Sequence, residues 1–166
     1  KNYVEKQSGP TNQELPSYAH AVGAVYRNSD PSDIVVTAAG GLVGEVIQVW
    51  RPKQKNTFES EWGFSCMGYE ISGALGIKMA KPDQDVVVFV GDGSYLLANS
   101  DIYSSVIYDK KLIIIVCDNG GHMVINRLQL AKGGKEYICN LRSARATNLQ
   151  FVDFEAHAKS MGANGE

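Results

Sequence analysis

This chain of 166 residues predicts an open three-layer α/β fold, with a mainly parallel sheet and helices on both of its faces. Three observations carry that expectation. Three short runs are dense in branched apolar residues and too short for helices. Segments with apolar residues at three- and four-residue spacing lie between and beyond them. Each run stops at a glycine or an Asp/Asn signal, which marks the turn out of a strand. Strands buried on both faces and separated by helices mean parallel strands joined by crossover connections.

Residues 1–14 are polar and read as an N-terminal linker, with one domain over residues 15–166. Leu15 to Arg27 has helical period. Ile34 to Ala38 is the first strand, and Gly40-Gly41-Leu42-Val43-Gly44 reads as the loop after it. Met67 to Ala80 predicts the next helix, with Ser65 as a candidate cap. Val86 to Val90 is the second strand and runs into Gly91-Asp92-Gly93-Ser94. Ala98 to Tyr108 follows as a helix with Asn99 as a candidate cap, and Leu112 to Cys117 is the third strand, ending at Asp118-Asn119-Gly120-Gly121-His122. Met123 to Ala131 and Asp153 to Met161 are amphipathic helices. Between them, Gly133 to Thr147 is polar and basic and reads as a loop beside a site or an interface.

Composition narrows the function. A hydrophobic share of 44% fills one core of this size. The net charge is -2 and the longest basic cluster, Arg142 to Arg145, holds two arginines, so a general nucleic-acid or membrane-surface binder is not expected. No segment approaches the roughly 20 apolar residues of a spanning helix. Cys66, Cys117 and Cys139 are odd in number and lack ligand-like spacing, which fits a reducing compartment and predicts a cytoplasmic protein. The chain begins at Lys1 with a polar stretch and reads as a piece of a longer protein, cut short at its C-terminus.

The chemistry concentrates after the strands. In doubly wound sheets ligands bind beyond the carboxyl ends of the strands, so the three turn sequences form one composite site. Glycines let backbone amides approach an anion, and a following helix adds its positive end, which suits a phosphate. Asp92 by itself would repel that phosphate. A divalent cation resolves the conflict, because a hard cation takes the carboxylate on one side and phosphate oxygens on the other. Asp92 therefore predicts Mg²⁺ or Ca²⁺ with a diphosphate, while the Asn119 amide oxygen and the Gly121 carbonyl complete an oxygen ligand set. A Gly-Asp-Gly triplet is by itself a common tight turn. The 24 residues from Ser94 to Cys117 change its weight, because they hold one helix and one strand and so return the two turns to the same sheet edge.

These residues resemble a known family. Gly91-Asp92-Gly93-Ser94, with 24 residues between Gly93 and Asp118-Asn119, is similar to the diphosphate-binding motif of thiamine diphosphate enzymes. The resemblance implies that Asp92, Asn119 and the Gly121 carbonyl hold Mg²⁺. A second stretch, Trp62 to Pro82, is similar to the loop and helix that hold the cofactor's aminopyrimidine in that family. It implies that Met67 supports the bent cofactor and that the Ser65 carbonyl and the Met67 amide bond the pyrimidine. The implied cofactor-binding set is Gly40, Gly41, Leu42, Ser65, Cys66, Met67, Gly91, Asp92, Gly93, Ser94, Asn119, Gly121, His122, Met123 and Val124. Glu61 to Gly76, Gly91 to Leu97 and Ala38 to Arg51 resemble most the branch that hydrolyses trihydroxycyclohexane-1,2-dione to 5-deoxy-glucuronate in inositol catabolism. Another carboligase or decarboxylase of the family, such as an acetolactate synthase-like enzyme, shares the same motifs, and a non-catalytic nucleotide-binding module is a third reading.

Several roles stay open at this level. Met67 suits an adaptable support under a bent ligand, or a core position at the start of a helix. Ser94 fits a phosphate contact or a helix N-cap. His122 fits a catalytic proton carrier or a structural hydrogen bonder. Cys66 reads as a small packing residue, and Arg127 and Arg142 as polar contacts or solvated charges. The family resemblance also implies an activating glutamate from a pyrimidine-binding domain of the same or a neighbouring subunit, and hence a homodimer or homotetramer. None of Glu45, Glu59, Glu61 or Glu70 matches its context, so the chain reads as the diphosphate-binding half of an active site.

Overall fold

A computed structural model describes residues 2–146 and 148–166. Its elements run α1 (Asn2–Gln7), α2 (Tyr18–Asn28), β1 (Ile34–Thr37), α3 (Gly40–Val49), β2 (Phe58–Ser60), α4 (Tyr69–Ala80), β3 (Val86–Gly91), α5 (Asp92–Leu97), α6 (Ser100–Ile107), β4 (Ile113–Cys117), α7 (Met123–Ala131), a 3₁₀ turn (Leu141–Ser143) and α8 (Phe154–Ser160). The strands form one parallel sheet in the order β2-β1-β3-β4, as the α/β expectation required. From β1 the chain steps outward to β2, then returns past β1 to β3. The order therefore reverses between β1 and β3, and a crevice opens there at their carboxyl ends.

Alternation along the strands builds two cores. Val35, Val87 and Phe89 point to one face and meet Val22 of α2 and Leu42, Val46 and Val49 of α3. Ile34, Val36, Val86, Val88 and Val90 point to the other and meet Ile71 and Ala74 of α4 and Ile102 of α6. Two apolar faces on one strand explain the unbroken run Val86 to Val90, since neither side of a central strand meets water. Helix α8 joins the second core through Phe154, which packs edge-on against Tyr95 at 5.1 Å between ring centroids, and His157 Nδ1 pairs with the Tyr95 hydroxyl at 2.9 Å.

The three expected strands are present within a residue of their expected ends. Beyond shifts at the helix ends, four stretches differ from expectation. Gly40 to Gly44 is not a loop but the first turn of α3, because only Gly40 needs a positive φ and the rest of the stretch is helical. Asp92 to Leu97 is likewise a short helix, α5, beginning directly at the end of β3. The three-residue strand β2 has a single apolar residue, Phe58, too little pattern to stand out before its pairing with β1 is seen. Residues 1–14 are not all linker: Ser8, just after α1, is buried, and its carbonyl accepts a hydrogen bond from Arg27 of α2. Lys1, and Thr147 at the end of the expected basic loop, lie outside the described residues. Among the described residues, no helix is long and apolar enough to cross a membrane.

Candidate functional site

Helix α4 starts later than its apolar pattern implies, and the difference shapes the site. Ser65 has φ 52 and Gly68, at the N-cap position, has φ 94. Those left-handed residues keep Ser65 to Met67 off the helix and on a loop at the sheet edge, so Ser65 does not cap α4. Asn99 does stand at the N-cap position of α6, but its side-chain amide donates backward to the Tyr95 carbonyl at 3.1 Å.

The loop faces a cleft of about 310 Å³ at the switch point. From β1 and α3 come Ala39 to Leu42; from the loop, Ser65 and Met67; from β3 and α5, Gly91 to Ser94; from the turn after β4 and from α7, Asn119, Gly121 to Ile125 and Leu128. The structure thus brings together every expected cofactor residue except Cys66. Cys66 is exposed and its amide donates instead to Glu61 Oε2 at 2.7 Å. Glu61 also hydrogen-bonds the Cys66 thiol, holding its pKa above the usual thiol range. Burial pushes the Cys117 thiol further, up to about 11, so neither cysteine is primed as a thiolate nucleophile.

Asp92 is the centre of the arrangement. It is 2% exposed, and its Oδ2 accepts the Gly121 amide at 2.7 Å while Oδ1 accepts the Asn119 amide at 3.5 Å. Burial raises its pKa, the Gly121 amide opposes that, and nearby Asp118 reinforces it. Among the described residues Asp92 belongs to no ion pair. Asn119 Nδ2 donates to the Tyr18 hydroxyl, which leaves the amide oxygen as the group available to a ligand. One carboxylate, one amide oxygen and a carbonyl form a hard oxygen set that fits Mg²⁺.

The second half of the turn is fastened from outside. His122 donates its amide to the Cys139 carbonyl at 2.8 Å, and Leu141 donates to the Gly120 carbonyl at 2.9 Å. Glycine is required at 121, because its φ is 136 and a Cβ there would lie 2.4 Å from the Cys139 oxygen. Asn126 of α7, which is buried, donates to Glu136 Oε2 at 2.8 Å, and Asn140 reaches the same carboxylate. The basic segment expected to lie near a site thus hydrogen-bonds the turn that carries Asn119 and Gly121.

Above Gly93 the His122 ring and the Met67 thioether converge: a Cβ on Gly93 would sit 2.7 Å from the His122 ring and 3.3 Å from the Met67 methyl. His122 and Met67 therefore share one wall of the cleft, and Met67, 40% exposed, is not a core residue. Ser94 is buried in the first turn of α5 and lines the cleft, whereas the N-cap position belongs to Gly91, so the capping alternative for Ser94 does not hold. Arg127 is exposed but its guanidinium approaches Gly41, where a Cβ would meet it at 2.5 Å. Arg142 is exposed on the 3₁₀ turn.

Sequence reasoning missed Tyr18, Ala39, Ile125 and Leu128 as lining residues. Tyr18 comes from α2, 101 positions from the Asn119 it touches, a separation that leaves no local signal. Glu70 does not line the cleft, but its burial beside the cleft had a signal in the sequence. It shares the buried face of α4 with Ile71, Ala74 and Leu75, and a carboxylate on an apolar stripe needs a partner.

A sequence profile described as "Thiamine pyrophosphate enzyme, C-terminal TPP binding domain" matches residues 38–166. Among curated proteins, the 3D-(3,5/4)-trihydroxycyclohexane-1,2-dione hydrolase of Lacticaseibacillus casei is 43% identical over 143 residues, covering 86% of this chain and 22% of its own length. Proteins of the same name from Listeria innocua and Bacillus subtilis are 44% and 37% identical, over 80% and 92% of this chain and 21% and 24% of their own. The chain thus spans between a fifth and a quarter of the length of these relatives.

Proposed function

Because the chain belongs to the thiamine pyrophosphate enzymes and matches their C-terminal TPP-binding domain, we propose that its cleft holds thiamine diphosphate through Mg²⁺, as part of an enzyme that hydrolyses trihydroxycyclohexane-1,2-dione. The observation that carries the reading is the convergence of Asp92, Asn119 and Gly121 at the switch point. Asp92, Asn119 Oδ1 and the Gly121 carbonyl hold the metal. The amides of Gly40, Gly41 and Leu42, at the start of α3, and the Ser94 hydroxyl face the diphosphate. Met67 and the Ser65 backbone would hold the aminopyrimidine end, and His122, whose ring lies beside Gly93 and Met67 in the cleft wall, could hold or pass a proton there.

When bound, the cofactor would supply a nucleophilic carbon and an electron sink suited to cleaving a C–C bond beside a carbonyl. The chain's own work is to anchor, bend and shield that group. No glutamate lines the cleft among the described residues, so the activating carboxyl comes from a pyrimidine-binding domain, of the same or a neighbouring subunit of a homo-oligomer. The substrate is the cyclic dione of the named relatives, an intermediate of inositol breakdown, and the three unpaired cysteines suit the reducing cytoplasm.

Calorimetric titration of the protein with thiamine diphosphate and Mg²⁺ tests the site. Asp92→Ala removes the one charged ligand and should lower affinity by about 100-fold or more while the thermal transition is retained. Equal affinity in the variant would remove the metal assignment.

A further inference from the structure

Glu70 is a second buried carboxylate at this end of the sheet, and metal binding does not account for it. It stands second in α4, is 1% exposed and belongs to no ion pair among the described residues. Burying an unpaired carboxylate is costly unless strong donors replace water. Two backbone amides do so: Gly68 donates to Oε2 at 2.9 Å and Ala39 donates to Oε1 at 3.2 Å. The two donors come from different parts of the cleft. Gly68 follows Met67, the residue on the aminopyrimidine side, and Ala39 precedes Gly40 to Leu42, on the diphosphate side. Ala39 is also the N-cap of α3 and has no side-chain cap of its own. One rigid, charge-assisted carboxylate therefore spans both segments and sets the gap between them.

We propose that Glu70 is a positioning residue, which fixes the spacing between the loop around Met67 and the N-terminus of α3 and so matches the cleft to a ligand anchored at both ends. This rests on the thiamine diphosphate reading of the cleft. Glu70→Gln keeps the shape but turns an amide donor toward one of the two N–H groups; Glu70→Asp keeps the charge but is a methylene too short to reach both.

The test compares two ligands on the wild type and both variants by calorimetry: inorganic pyrophosphate with Mg²⁺, and thiamine diphosphate with Mg²⁺. Pyrophosphate engages one end only and should bind the variants within about threefold of wild type, whereas thiamine diphosphate should weaken by about tenfold or more. Hydrogen exchange should show faster exchange at Ala39, Gly68 or both in the variants. Equal weakening of both ligands, no weakening of either, or loss of the cooperative thermal transition in both variants would overturn the proposal and leave Glu70 a residue of general stability or of no consequence. If the wild type binds neither ligand, the cofactor reading fails on its own, and unchanged exchange at both amides then overturns the clamp independently.

Discussion

Gly93 shows how little room the cleft leaves at a single residue. Its neighbours Asp92 and Ser94 are both buried, and the space a Cβ would occupy is already taken by His122 and by the Met67 methyl. Gly93→Ala forces those two side chains apart without touching the sheet below. Thiamine diphosphate affinity should fall by about tenfold, with the thermal midpoint shifted by only a few degrees. Calorimetry beside a thermal melt checks it; unchanged affinity would mean that the two side chains relax freely and that Gly93 is only a turn residue. Asp92 itself stood out in the sequence, because its Gly-Asp-Gly turn lies one helix and one strand before the Asp118-Asn119 turn. Its hydrogen bonds did not, since both donors lie 27 or more positions away.

At the scale of elements, β3 leads into Asp92 and is enclosed on both sides by the rest of the fold. It pairs with β1 on one side and β4 on the other, and five of its six residues are buried. Phe89 is fully enclosed between the β4 and β1 side chains and Trp50, whose ring lies 6.1 Å away and edge-on. Phe89→Ala should therefore cost about 3–5 kcal/mol by cavity formation, a large share of the stability of a domain this size. Chemical denaturation would show the loss directly, and because Asp92 sits just three residues on, cofactor affinity should fall with it. A loss below about 1 kcal/mol would show that the core repacks around the gap. The strands were readable because a central parallel strand is apolar on both faces. Helix α3 was not, because Gly40, Gly41 and Gly44 have the composition of a loop; Leu42, Val46 and Val49 make it a helix only once β3 and α2 offer them a surface.

For the whole molecule, the distribution of charged groups decides what the chain can do unaided. The groups proposed to hold metal and diphosphate line one cleft of the chain, and that cleft holds no carboxylate other than Asp92 among the described residues. Incubated with thiamine diphosphate, Mg²⁺ and a cyclohexane-1,2-dione, the 166-residue chain should bind cofactor and release no acid above a blank without protein. Sustained acid release that depends on Asp92 would show that the chain carries its own activating group. Local composition was enough to determine the parallel α/β class, the positions of three strands, and the placement of Asp92 and Asn119 in turns at strand ends, because burial on both faces and tight turns at strand ends each leave a mark within a few residues. Tertiary structure alone decided that Tyr18 orients Asn119, that Glu70 ties Ala39 to Gly68, that Cys66 turns outward, and that the segment after Gly133 fastens the Gly121 turn. Each of those is a contact between segments far apart in the chain or a left-handed backbone residue, and neither follows from hydrophobic period.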